Sequence, residues 1–535
     1  MRVELLPTRS VFAVGAEVSV EVRGVRSPGT LTLWHLGVEV GQWHNVSAPV
    51  AVLGALKSGG YGVEWRGGDG TFARTAVDVA DDSRMRVRYG FTVDYHPHRD
   101  ARGLTDTVRR LHLTDIQFYD WAYRHADLLG GGDEYDDALG QRVSLDTVRE
   151  LASAVHDVGA RALGYAAVYA VGPAEWDRWR AHALMDGAGS PFALGDFLFI
   201  VDPAAERWVA HFVPELEAAT GVLGFDGFHL DQYGYPKHAR RADGVVVDVA
   251  TSFDVLLRAV RDALPGSQLI FNNVNDFPTW LTGGSPQDAV YVEVWNPQTT
   301  LGALARVVSR ARAVGEGKPV VIAAYQHVYD SASAAAADGA TAFTMATLFS
   351  HGATQLLAGE ADRILVDPYY VRNHVVEEST AALLKRWYDY LVEHDELLLD
   401  PQIVDVTGSY AGAYNDDIDV TFAGVEVTEE PIAGQVWRRV TRTRYGLVLH
   451  LINLSGQTDV LWDGAKHPVV DIGESTLRLR TVEGVVPRVR VSDPDRLPRL
   501  VEVPVKVDRA YASATLPTPG IWQLVLIDLD PDGVK

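Results

Sequence analysis

Cysteine is absent from this chain of 535 residues. Neither a disulfide nor a thiolate metal site can form, so the fold must rest on packing alone. Basic residues are in short supply too: 48 Lys and Arg face 71 Asp and Glu, a formal net charge of −23. Nucleic acid and anionic membranes select basic surfaces, so neither is expected as a partner. A neutral polymer such as a polysaccharide fits that charge. No run of about 18 apolar residues is present that would span a bilayer. The stretch Met1–Arg9 lacks the apolar core of a signal peptide, so a cytoplasmic location is expected, with secretion as the alternative. No Gly-x-Gly-x-x-Gly follows the first barrel-like strand, and the histidines are scattered, with His96-Pro97-His98 lacking a carboxylate at ligand spacing. No cofactor and no metal are therefore expected.

Apolar residues are plentiful, at 47% of the chain. Their period changes twice. Residues 1–86 alternate apolar and polar, as in Glu17-Val18-Ser19-Val20-Glu21-Val22. That is the mark of a half-solvated antiparallel sheet and predicts an immunoglobulin-like β-sandwich. Residues 87–398 carry eight apolar runs: Tyr89–Asp94, Asp115–Tyr119, Ala160–Tyr165, Gly224–Leu230, Gln268–Asn272, Ala289–Glu293, Pro319–Ala324 and Thr354–Ala358. Amphipathic stretches such as Leu145–Val158, Ala204–Ala219 and Leu301–Val314 separate them. Eight βα units predict a (β/α)8 TIM barrel, closed by a helix over Ser379–Glu393. Alternation returns over residues 399–535 and predicts a second β-sandwich. The fold class is thus multidomain α/β, a TIM barrel flanked by N-terminal and C-terminal β-sandwich domains.

Two of the runs end in carboxylates. The fourth continues Phe225-Asp226-Gly227-Phe228-His229-Leu230-Asp231, and the sixth ends Tyr291-Val292-Glu293. Strand-end carboxylates converge on the C-terminal mouth of a barrel, and glycoside hydrolysis needs two carboxyls flanking one sugar. In a retaining mechanism Asp231 attacks the anomeric carbon, while Glu293 protonates the leaving oxygen and then activates water. The nucleophile must stay ionised and needs donors around it. The acid must hold its proton and needs a drier wall, which Tyr291 and Trp295 would supply. The purely structural alternative is that Asp231 caps a loop and Glu293 pairs with an arginine. Asp226 competes with Asp231. An Asp before Gly also bonds backbone in a turn or supports a site from behind. Alternation places the two on opposite faces of a regular strand, so only one belongs at the centre.

The second run continues into Gln117-Phe118-Tyr119-Asp120-Trp121-Ala122-Tyr123-Arg124-His125. Sugars are held by aromatic faces and by hydrogen bonds from planar polar groups. Gln117, Tyr119, Asp120, Trp121 and His125 suit such contacts; a buried aromatic cluster with a satisfied histidine is the plain alternative. Asn273 and Asn275 follow the fifth run, Tyr325 the seventh and Glu360 the eighth, while Asp94 closes the first. Each stands where a loop carries sugar contacts, and each also suits a loop-shaping role. For Asp94 that role would be a pair with Arg124.

These segments resemble glycoside hydrolase family 66, the dextranases and cycloisomaltooligosaccharide glucanotransferases. The resemblance rests on Ile116–His125, Gly224–Gly234, Tyr291–Trp295, Leu357-Ala358-Gly359-Glu360 with Pro368-Tyr369-Tyr370, and Trp387–Leu391. It implies a β-sandwich, a TIM barrel and a C-terminal β domain in that order. It also implies retaining, endo-acting cleavage of α-1,6-glucosidic bonds in dextran or isomaltooligosaccharides, with Asp231 as nucleophile and Glu293 as acid/base. The transferring branch of the family carries a long carbohydrate-binding insertion, and none fits between Tyr291 and Glu360. Hydrolysis is therefore expected over cyclisation, with α-1,6-glucan transglycosylation as the alternative. A catalytically silent carbohydrate-binding protein is the reading from another class.

Overall fold

Eight parallel strands lie side by side in chain order: Tyr89–Thr92, Asp115–Phe118, Arg161–Ala167, Gly227–Asp231, Gln268–Asn272, Ala289–Glu293, Val320–Ala323 and Thr354–Leu356. This computed structural model describes residues 3–47, 49–412, 414–482 and 485–529. Side chains alternate between the two faces of each strand, and both faces are covered, which is why the runs read as continuously apolar. Phe228, Leu230, Phe271, Val290 and Val292 pack outward in one large core with the surrounding helices. Tyr89, Phe91, Leu163, Tyr165, Ile270, Tyr291, Val321 and Leu356 fill the inside. The result is a TIM-like barrel.

Its seam is not a regular ladder. The amide of Glu360 donates to the Phe91 carbonyl at 2.7 Å, and Thr354 Oγ1 donates to the Val87 carbonyl at 2.8 Å. Gly359 permits the approach, since a Cβ there would collide with the Phe91 carbonyl.

Helices Leu145–Asp157, Glu206–Leu223, Val249–Ala263, Leu301–Val314 and Ala334–His351 wrap the outside. Ser144, Asp248 and Thr300 cap three of them, each accepting a backbone N–H of the first turn. The fourth strand departs from the sequence expectation. Its preceding helix runs to Leu223 and stops at Gly224, whose φ of 72° is the left-handed ending that glycine favours. The strand therefore begins at Gly227 and takes in Asp231 as its last residue. The fifth crossover holds a 3-10 turn, Val274–Asp276, and the short helix Thr279–Thr282.

Antiparallel β sheets flank the barrel on both sides. The N-terminal pair has three and five strands and closes on Val18, Val20, Leu31, Val63 and Trp65. The C-terminal pair has seven and four strands around Val420, Leu449, Leu477 and Val525. The closing helix, Glu378–Glu393, joins barrel to N-terminal sheets. Its Asp389 accepts from His112 Nε2 at 2.8 Å and from Thr75 Oγ1 at 3.3 Å. Among the described residues no helix is long and apolar enough to cross a membrane.

Candidate active site

Register decides which strand-end side chains meet. Leu230 pairs with Phe271, and Asn272 with Tyr291. Asp231 therefore stands level with Asn272 on the next strand. Glu293 lies two residues beyond Tyr291 and points the same way. Asn272 Nδ2 donates to Asp231 Oδ1 at 2.7 Å and to Glu293 Oε2 at 3.0 Å. One amide thus spans both carboxyl groups. Its two bonds laid end to end are the ceiling on the gap between those oxygens. That ceiling matches the separation of about 5–5.5 Å in a retaining pair and falls short of the roughly 6.5–9.5 Å of an inverting pair.

The surroundings treat the two carboxyls differently. Burial pushes Asp231 up to about 6, while hydrogen bonds from Asn272, Tyr165 and the Gln232 amide pull it back. The Tyr165 hydroxyl donates to Asp231 Oδ2 at 2.7 Å. Burial pushes Glu293 further, to about 7, and the negative charge of Asp231 adds to the effect; Asn272, Tyr325 and Trp295 oppose it with hydrogen bonds. Burial raises both carboxyls, and the Asp231 charge makes Glu293 the harder of the two to ionise.

Both carboxyls open into a cavity of about 250 Å³ at the C-terminal mouth of the barrel. Aromatic rings form its walls. Tyr119 stacks on Tyr370 with centroids 4.2 Å apart and tilts against Tyr165 at 5.0 Å. Beneath them His229 stacks on Tyr165 at 6.1 Å and meets Tyr291 edge-on at 4.8 Å. Burial drives His229 down to about 3 and His125 to about 4, so both imidazoles are neutral at ordinary pH. Asp120 is a third carboxyl in the cavity. Burial, then the charges of Asp137 and Asp231, hold it well above the usual carboxylate range. Flat rings and neutral polar groups around a protonated and an ionised carboxyl form a surface that suits a sugar.

Of the residues singled out by sequence, Gln117, Tyr119, Asp120, His125, Asp231, Glu293, Trp295 and Tyr325 line this cavity. Six others do not. Asp120 adopts a φ of 47°, which turns the chain after Tyr119. Trp121 is thereby swung into the outer core, edge-on to Phe225 at 5.1 Å, with Nε1 donating to the Tyr165 carbonyl. Asp226 precedes its strand. It accepts from His156 Nε2 and from the Ala162 amide, both at 2.8 Å, at the end of the barrel away from the cavity. Asn273 is buried, donating to the Tyr291 carbonyl at 2.9 Å and accepting from Thr282 Oγ1. Asn275 reaches across to the next loop and donates to the Asn296 carbonyl at 2.9 Å. Asp94 is exposed and bonds His96, not Arg124; the Arg124 guanidinium goes to the Asp136 carbonyl and lies over Tyr123. Glu360 is buried against Arg99 and accepts from the Val93 and Asp94 amides, so it shapes the loop after the first strand.

Sequence reasoning passed over Asn272, Tyr165, His229 and Tyr370 as site residues. For three of them a signal was present. Asn272, Tyr165 and His229 share parity with the inward residues of their strands, Ile270, Leu163 and Asp231. Tyr370 comes from a loop whose reach no periodicity reveals.

A family model described as Glycosyl hydrolase family 66 matches residues 52–526. The chain belongs to this family. Two cycloisomaltooligosaccharide glucanotransferases of Niallia circulans are similar to it. One is 27% identical over 287 residues and the other 24% over 286, covering 48% and 47% of this chain. The matched region is 29% of either relative's own length. Among solved structures, a cycloisomaltooligosaccharide glucanotransferase of Paenibacillus sp., complexed with cycloisomaltoheptaose, has a TM-score of 0.87 at 17% identity, covering 98% of this chain and 99% of that one. A maltogenic α-amylase of Thermotoga neapolitana has a TM-score of 0.51 at 10% identity, covering 83% of this chain and 99% of that one. At such identities these likenesses establish the fold of this family 66 chain and nothing finer.

Proposed function

We propose that this family 66 chain acts on α-1,6-linked glucan by double displacement and passes the glucosyl unit to a sugar hydroxyl, with water as the competing acceptor. Asp231, held ionised by Tyr165 and Asn272, attacks the anomeric carbon. The bond to the leaving oxygen breaks, and Glu293 gives that oxygen its proton. In the second step Glu293, now ionised, takes a proton from the acceptor hydroxyl. The acceptor oxygen joins the anomeric carbon, and the ester to Asp231 breaks.

The observation that carries this reading is the Asn272 amide spanning both carboxyls. It supports the short carboxyl separation that a covalent intermediate requires. Transfer takes precedence over hydrolysis because the two curated relatives are both named as glucanotransferases.

The test is incubation with dextran and isomaltooligosaccharides, reading the anomer of the first product by NMR and the lengths of all products. The expected result is an α anomer first, with longer or cyclic products. A β anomer would refute double displacement. An α anomer with shorter products alone would refute transfer and leave a hydrolase.

A further inference from the structure

The C-terminal β domain reaches back to the active site through one loop tip. Trp462 is buried there, and its Nε1 donates to the Gln298 carbonyl at 2.6 Å. Its backbone amide donates to the Thr299 carbonyl at 3.2 Å, and the Leu301 amide donates to the Val460 carbonyl at 2.9 Å. Those three bonds clamp the loop after the sixth strand. Asp463, the next residue, clamps the loop after the seventh. Its Oδ1 accepts from the Val328 amide at 2.9 Å, and its Oδ2 lies 3.0 Å from His327 Nδ1. Two adjacent residues of one domain thus staple two neighbouring loops of another.

The stapled loops carry Trp295, Tyr325 and His327. Trp295 lies 5.8 Å from the Tyr325 ring and 6.2 Å from the His327 ring. Trp295 and Tyr325 line the same cavity as Glu293 and favour its charged form. Glu293 serves the leaving oxygen in the first step and the acceptor oxygen in the second, so the acceptor must enter beside these rings. A sugar acceptor gains from an aromatic face held still; a water acceptor gains nothing from it.

We infer that Trp462 and Asp463 are positioning residues that hold the acceptor wall, Trp295 with His327, and so set the division between transfer to sugar and transfer to water. The inference rests on the double-displacement reading above. In either branch the acceptor oxygen bonds the anomeric carbon, the Asp231 ester breaks and the acceptor proton goes to Glu293. Only the identity of the acceptor changes.

Three variants of the full chain test this: Asp463→Ala, Asp463→Asn and Trp462→Phe, the last keeping a buried ring while losing the Nε1 bond. Each is given concentrated isomaltotriose, and longer products are counted against reducing ends released. The first-step rate is read separately on an aryl α-isomaltoside, whose leaving group needs no acceptor. Trp462→Phe should lower the transfer-to-hydrolysis ratio by about fivefold, the effect of one lost hydrogen bond, and Asp463→Ala, which loses two, should lower it further. Asp463→Asn, which keeps one acceptor oxygen, should fall between Asp463→Ala and the parent. The aryl first step should stay within about twofold of the parent in all three. If Asp463→Ala does not fold, Trp462→Phe and Asp463→Asn decide. An unchanged ratio in the folded variants overturns the inference, as does a parallel loss of the aryl first step, which would mark general damage. A parent that cleaves isomaltotriose but makes no longer product also overturns it. A parent inactive on every α-1,6-glucan overturns the proposed function itself.

Discussion

The Tyr165 hydroxyl lies 2.7 Å from Asp231 Oδ2, donated from the strand next to that of Asp231. Among the described residues it is one of two side chains that hydrogen-bond this carboxylate, the other being Asn272. Tyr165→Phe keeps the ring that stacks on His229 and removes only the donor. A hydrogen bond to a charged group contributes about 1.5–3 kcal/mol, so the first step should slow roughly 10- to 100-fold. The acid limb of kcat/KM should also move to higher pH, because Asp231 loses support for its charge. An unmoved limb with a slower rate would mean that Tyr165 contacts substrate instead.

Glu293→Gln removes the proposed proton donor and keeps the shape. Cleavage of natural α-1,6 bonds should fall by about 10²–10⁴-fold, the usual worth of general acid catalysis. Aryl glycosides with good leaving groups should lose less than about tenfold in the first step, since their departing oxygen needs no proton. Equal losses on both substrate types, measured by pre-steady-state release of the aryl group, would remove Glu293 from the acid role.

The pH profile should be narrow. The proposed double displacement requires Asp231 ionised and Glu293 protonated. Burial lifts the first to about 6 and the second to about 7. The kcat/KM of the free enzyme should therefore rise through the lower value and fall through the upper one, giving a bell close to neutral pH. A plateau reaching down to ordinary carboxylate pKa values would show that water reaches Asp231 freely.

The same burial affects stability, with a definite sign. Both carboxyls bind their protons more tightly when folded than when unfolded. Their contribution is full below the ordinary carboxylate range and is lost as pH rises through the folded values. Glu293→Gln should thus be more stable than the parent by about 1–3 kcal/mol at about pH 8, and the advantage should vanish near about pH 4. Denaturant unfolding of the barrel at the two pH values measures it. No gain at the higher pH would contradict the stated cause.

Much of the barrel could be read in advance because its cause is local. The apolar runs and the amphipathic stretches between them depend on residues a few positions apart. Asp231 and Glu293 could be placed at strand ends because the apolar runs stop there. Reading failed where a side chain answers to a distant partner. Glu360 looked like a strand-end carboxylate, yet Arg99 and two amides from the first strand's loop claim it. Asp226 looked like a second nucleophile, yet His156 and the Ala162 amide hold it outside the cavity. Trp121 was lost to a single positive φ at Asp120, which inverts the alternation that the argument assumed.

By itself the amino-acid order determined which positions are apolar and at what period. That set eight parallel strands, their covering helices, and carboxylates at the ends of the fourth and sixth. Which neighbour each strand-end side chain would face was decided only by the assembled barrel. Asn272 and Asn273 are the same residue type one position apart, and register alone gives one of them both carboxyls and buries the other against Thr282. The tip at Trp462 and Asp463 meets the barrel loops across more than a hundred residues of chain, joined by contacts that no short-range pattern records.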